Sequence, residues 1–296
     1  MENLLKKWSS RFTRPIKYEA SQQCEKEERM KKYISFFRIR FTNGLQYRAA
    51  ALAGVATQFA WGFLYILMFA AFYRTNPSAA PMDFSALASY LWLQQAFLTL
   101  FMLWFVENDI LESIRNGNVA YELCRPTNLY GMWYIKSLAY RTSRAVLRCF
   151  PILLVALFLP APYGLALPPD RFAAMLFLLS MLLALLVTCA MGMILYILTF
   201  YMMNPMGIRM LFATVGEFFT GAVVPLPFMP AKLRKAMEIL PFGSMQNAPF
   251  RIYSGNLAGL EAIGTVLLQL FWLVVLVGLG FWLMDRVLRR VVIQGG

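Results

Sequence analysis

Apolar residues in this chain gather into long uncharged runs instead of recurring at the spacing of a soluble amphipathic fold. The runs cover Ala49–Tyr73, Phe84–Val106, Cys149–Pro169, Phe172–Ile208 and Ala262–Met284. About 20 apolar helical residues cross the roughly 30 Å of bilayer hydrocarbon, so each run is long enough to hold a span. The pattern predicts six spans, at 47–73, 85–106, 132–159, 171–199, 206–224 and 260–284. Asn204-Pro205 splits the longest run into a hairpin, because proline interrupts the helical hydrogen-bond ladder. Two of the six carry charge beyond their first two residues. The third begins with Lys136, Arg141, Arg144 and Arg148, and the fifth contains Arg209 and Glu217.

Two segments outside the spans have helical periodicity. Met30, Tyr33, Ile34, Phe37, Phe41 and Leu45 form one stripe, flanked by Arg29, Lys31, Arg38 and Arg40. This predicts an amphipathic helix in the cytoplasmic interface, with its cations reaching toward headgroups while the aromatic face sinks into the acyl boundary. After the second span, Asn108 or Asp109 can cap a short helix. Ile110, Leu111 and Ile114 are its apolar face, Glu112 stands in its first turn, and Gly117 ends it. The chain then divides into an amino-terminal segment over 1–46, a membrane domain over 47–284 and a tail over 285–296. Within the membrane domain, a cytoplasmic loop occupies 107–130 and an external segment 225–257.

Composition agrees with the runs. Of 296 residues, 59% are hydrophobic and only 15% charged, against about a quarter charged in soluble domains. Histidine is absent, which excludes Ser-His-Asp and Cys-His catalysis and His-ligated zinc or haem. Cys24, Cys124, Cys149 and Cys189 show no paired spacing, which argues against a disulfide framework or a thiolate metal site.

The net charge of +13 is explained by topology. With both termini inside, only Arg74, Arg171, Lys232, Arg234, Lys235 and Arg251 of the 28 Lys and Arg face outward, as the positive-inside rule requires. No nucleic-acid partner is needed, and the charged amino-terminal segment reads as cytoplasmic, without a leader.

Charged groups at membrane depth are candidate functional groups by default. Glu217 stands within the fifth span and is a candidate for the translocation path. Arg141, Arg144 and Arg148 share one face of the third, where they can meet an anionic substrate or hold lipid phosphates by snorkelling. Gln58, Gln94, Gln95, Asn204 and Gln269 read as dispersed interhelical hydrogen-bonding groups.

Three motifs, in this order, resemble those of bacterial ABC-2 type transporter permeases. They are Phe36-Phe-Arg-Ile-Arg-Phe-Thr-Asn-Gly-Leu-Gln-Tyr-Arg-Ala-Ala50, then Ile114-Arg-Asn-Gly-Asn-Val-Ala-Tyr-Glu-Leu-Cys-Arg-Pro126, then Pro225-Leu-Pro-Phe-Met-Pro followed by Leu240-Pro-Phe-Gly-Ser-Met-Gln-Asn-Ala-Pro249 and Ile252-Tyr-Ser-Gly255.

The resemblance implies an all-α integral membrane protein with six transmembrane helices. It adds an interfacial amino-terminal helix, a cytoplasmic coupling helix, and short external or re-entrant helices between spans five and six. It further implies a multi-pass subunit of an exporter in the bacterial inner membrane, paired with an identical or homologous permease. The substrate would be amphipathic: drug-like, lipid or glycan. Two separate ATPase subunits would bind ATP and Mg, since this chain lacks the glycine-rich phosphate-binding loop. Carried over, the coupling helix comprises Asp109, Ile110, Leu111, Glu112, Ile114 and Arg115, with the three apolar residues in the ATPase groove. A lipid-modifying enzyme using Glu217, or Glu107 with Asp109, and a non-catalytic membrane scaffold are the competing readings.

Overall fold

The computed structural model describes residues 30–75, 80–202 and 205–289. The residues before 30 with Cys24, Asn204 of the helix breaker, and the end of the tail lie outside that set. Among the described residues every regular element is helical. Three helices, Arg48–Thr75 (α2), Arg171–Thr199 (α8) and Gly259–Leu288 (α12), are long and apolar enough to cross a membrane by length and composition. The architecture is that of an all-helical integral membrane protein.

Helix α8 is the axis of the packing. It meets α12, Asn247–Tyr253 (α11), Leu129–Phe158 (α7) and Pro205–Phe219 (α9). Asp170 caps its start, its carboxylate accepting from the Ala173 amide, in the geometry that satisfies an orphan helix donor. Asn128 does the same for α7 at the Gly131 amide. Polar glue joins α8 to α12 and to the segment before α11. Ser180 donates to Gln269 Oε1 at 2.9 Å, and Gln269 Nε2 donates to the Ser244 carbonyl at 2.9 Å. This is the interhelical role expected for Gln269.

The second expected span differs from its forecast. The run looks like one helix through Val106, but helix Phe84–Ala96 (α3) breaks at Phe97, resumes as Leu98–Phe101 (α4) and ends before an extended Met102. The cause lies on another helix. The Arg141 guanidinium, 1% exposed, donates to the carbonyls of Leu100 (3.0 Å), Met102 (2.9 Å) and Phe105 (2.8 Å). The last carbonyls of a helix lack intrahelical partners, and a buried cation holds that of Leu100 together with two from the loop that follows.

The fifth is also shorter than forecast, with α9 ending at Phe219. Gly221 takes φ +76°, its amide donates to the Phe218 carbonyl, and the Ala222 amide donates to the Glu217 carbonyl at 3.0 Å. These two bonds form a Schellman cap on a left-handed glycine, and they place Glu217 in the last turn. Beyond it lie a 3-10 turn at Leu226–Phe228, helix Ala231–Ile239 (α10) and α11.

Residues 30–44 form the first helix (α1). Tyr33 lies over Gly131, where an added Cβ would come within 2.9 Å of its hydroxyl, and Gly44 abuts Ser143. The two contacts run in the same order along α1 and α7. Tyr33, Phe37, Phe41 and Leu45 of the expected stripe are half-buried, whereas Met30 and Ile34 stay 60% and 63% exposed.

Candidate functional site

Helices α2, α3, α4, α7 and α9 leave an open cavity of about 440 Å³ between them. One face of α2 supplies Gly54, Gln58, Trp61 and Tyr65, at offsets of four, seven and eleven residues, which is a single stripe at helical periodicity. From α3 and α4 come Gln94, Gln95 and Leu98, followed by Met102 and Trp104. Arg148 enters from α7, and Glu217, Ala222 and Val223 from α9 and its cap.

Among the described residues, several buried polar groups in this lining lack partners. Gln58 is 4% exposed, and neither its Nε2 nor its Oε1 is hydrogen-bonded. Gln94 donates from Nε2 to the Ala222 carbonyl at 2.6 Å, tying α3 to the cap of α9, while its Oε1 is unpaired. The Nε of Arg148 is unpaired as well. A buried polar atom without a partner costs about 1–3 kcal/mol, so three side chains leave the cavity with unmet hydrogen-bonding capacity.

The cavity carries one cation and one anion, at opposite ends of the α2 stripe. The Arg148 guanidinium sits on Gly54, close enough that an added Cβ would lie 2.6 Å from Cζ, and it also faces the Phe105 ring at 6.0 Å. Glu217 lies near the Tyr65 phenol, close enough to act on it electrostatically. Among the described residues neither charge makes an ion pair. The last turn of a helix is where the macrodipole disfavours a carboxylate, so nothing in α9 itself accounts for an acid at position 217.

The structure therefore separates the arginines that the sequence groups together. Arg148 joins Glu217 in the cavity. Arg141, expected as a translocation residue, does not line the cavity and braces the end of α4. Its position on the charged face of α7 is as expected, but a guanidinium taken out of water gathers carbonyls first. Arg144 lies outside the cavity, in a small hollow with Gly44 and Tyr47, its guanidinium 4.1 Å from the Tyr140 ring.

The expected short helix is present as Asn108–Arg115 (α5), followed by Val119–Leu123 (α6). Its apolar face is turned inward. Ile110 and Leu111 are 0% and 6% exposed and pack with Met193, Tyr196, Ile197 and Met284, and Ile114 lies half-buried against the same cluster. The expectation placed these three residues in a partner's groove; the chain's own α8 and α12 cover Ile110 and Leu111, while Ile114 is covered only in part. The outward face is polar, formed by Asp109, Glu112 and Arg115.

Polar contacts tie α5 to its neighbours. The Asp109 carboxylate faces Lys136 of α7 at 3.4 Å and Arg40 of α1 at 3.9 Å. Arg209 of α9 donates to Asn108 Oδ1 at 3.2 Å, and the Glu107 amide meets the Tyr196 hydroxyl at 2.8 Å. Burial pushes the Glu107 carboxyl above the usual carboxylate range, with Lys136 opposing that rise.

The sequence reading missed the convergence of Gln58, Gln94 and Gln95. A signal was available in the α2 stripe, where a glycine and a glutamine one turn apart precede two aromatics on the same face. A family model described as ABC-2 family transporter protein matches residues 59–295. No curated protein matches the chain.

Proposed function

The chain belongs to the ABC-2 transporter family, and from that premise we propose that it is the permease subunit of an ATP-driven exporter. The family is a membrane transport component of ABC systems, which work with ATPase partners. In this reading the membrane is crossed six times, by α2, α3 with α4, α7, α8, α9 and α12. Both termini are cytoplasmic, in a bacterial inner membrane. A second permease, identical or homologous, completes the path, and two ATPase subunits bind ATP and Mg. The cavity between α2, α3, α7 and α9 receives the substrate, with Arg148 and Glu217 in contact with it.

One observation carries the reading: α5 is bonded to elements that lead to three of the cavity walls. Asp109 joins it to α7 directly and to α1, which leads into α2, while Asn108 joins it to α9. A displacement of α5 imposed from the cytoplasmic side would move those walls together, which is the two-state element an ATP-driven cycle requires. The ATPase meets the polar face, Asp109, Glu112 and Arg115, while Ile110, Leu111 and Ile114 anchor that face to the membrane domain.

The test is Asp109→Ala in the purified complex with its ATPases. ATP hydrolysis is expected to continue while export falls at least about tenfold, a coupling loss of about 1.4 kcal/mol. Unchanged export would overturn the coupling role.

A further inference from the structure

We propose that the cavity is built for an extended zwitterion, a short apolar peptide whose carboxylate faces Arg148 and whose ammonium faces Glu217. This inference rests on the reading of the cavity as the substrate site, and it names the chemistry of the substrate.

Four observations lead to it. First, the lining holds one cation and one anion that are not paired with each other among the described residues, so both are met at once only by a ligand that carries both signs. A ligand of one sign would leave the other charge partly desolvated and unmet.

Second, the charges stand apart. Arg148 lies against Gly54 and Glu217 is within electrostatic reach of Tyr65, positions eleven residues and about 16 Å of helix rise apart on α2. After the reach of both side chains, the remaining interval suits three or four residues of extended peptide at about 3.4 Å each. The phosphate and ammonium of a lipid headgroup are joined by a short ethylene link and cannot serve both ends at once.

Third, the unpaired groups between the two ends are amides. Gln58 offers a free donor and a free acceptor, and Gln94 a free acceptor, each at 4% exposure or less. Peptide N–H and C=O groups are their natural complement, whereas a hydrocarbon ligand would leave them unsatisfied. Fourth, Trp61 and Tyr65 line the cavity with their rings 5.9 Å apart, and Tyr65 is within electrostatic reach of Glu217. Aromatic faces next to a carboxylate favour an ammonium group, and Leu98, Met102 and Trp104 give apolar side chains a surface.

The experiment uses the permease–ATPase complex in lipid nanodiscs and equilibrium binding of trileucine in four forms: free, N-acetylated, C-amidated and doubly blocked. The free zwitterion is expected to bind at least about tenfold tighter than the doubly blocked form. Arg148→Gln should erase the difference between the free and amidated peptides, and Glu217→Gln that between the free and acetylated ones. Each variant serves as the folding control for the other, since each should keep the preference it does not carry. Equal affinity of the four forms, absence of saturable binding, or a tighter fit of dodecylphosphocholine would overturn the proposal.

A separate arm tests the site itself. Thr57→Cys, in a background with Cys24 and Cys124 replaced by Ser, is alkylated with a bulky maleimide. Arrest of the ATP-driven export cycle keeps the cavity as the transport site whatever the peptides do. Uninterrupted cycling overturns the site and the peptide proposal with it.

Discussion

The guanidinium of Arg148 rests directly on Gly54, with 2.6 Å between its Cζ and the position a Cβ would take. Glycine leaves room there for the cation, which occupies the space of a side chain. Gly54→Ala should leave folding nearly unchanged, because alanine favours the helix by up to about 1 kcal/mol and an arginine tip can shift. The displaced charge should weaken substrate binding about tenfold, read as the apparent affinity for export at constant expression.

Gln58→Leu should separate stability from transport. It removes two buried unsatisfied groups, a change that is neutral or stabilising by about 1–2 kcal/mol. The melting temperature in detergent is expected to hold or rise while export falls. A simultaneous loss of both would mean that the amide has a partner in the resting fold.

Arg141→Met removes the guanidinium from the carbonyls of Leu100, Met102 and Phe105, leaving Met102 only the Phe105 amide. The expected cost is about 3–5 kcal/mol, seen as a lower melting temperature and reduced yield. Arg141→Lys should recover only part of it, because an ammonium cannot fork across the same acceptors.

Ile110→Asp should destabilise by about 3 kcal/mol or more, since it buries a carboxylate at a position with 0% exposure. Glu112→Ala, on the outward face, should leave the melting temperature within about 0.5 kcal/mol equivalent and weaken co-purification with the ATPase. Intact ATPase binding by Glu112→Ala and its counterpart Arg115→Ala would move the docking surface elsewhere.

The Glu107 carboxyl is raised above its ordinary value of 4.5 by burial. Its burial therefore costs nothing below that value, where it is protonated folded or unfolded, and the cost grows as pH rises toward its folded pKa. Glu107→Gln should be more stable than the parent at neutral pH, with the gap closing as pH falls to about 4.5. Melting curves of both proteins across that window check the sign.

Much of the layout was legible from the chain. Long uncharged runs marked where apolar helices form, and the spacing of Ile110, Leu111 and Ile114 with Gly117 beyond them marked Asn108–Arg115, although its N-cap is Glu107 and not the expected Asn108 or Asp109. The helix ends inside the membrane domain were less legible. Nothing near Phe101 announces a break, because the group that terminates α4 is Arg141, forty residues further along. The inward turn of Ile110 and Leu111 was hidden for a similar reason. An apolar helix face says that it will be covered, and only the fold says that α8 and α12 cover it. Gln58 and Gln94 looked dispersed because they share no local pattern, and adjacent helices bring them together.

Helix α9 is fastened by polar bonds near its two ends, from Arg209 to Asn108 and from the Ala222 carbonyl to Gln94, and between them it packs chiefly on α8. A rod pinned at its tips and lightly held along its length rolls more easily than it tilts. A roll by one residue, about 100°, carries the acid at position 217 away from the hollow and brings the ring of Phe218 round in its place. If the peptide proposal holds, the pivot that receives the ammonium end would then expel it.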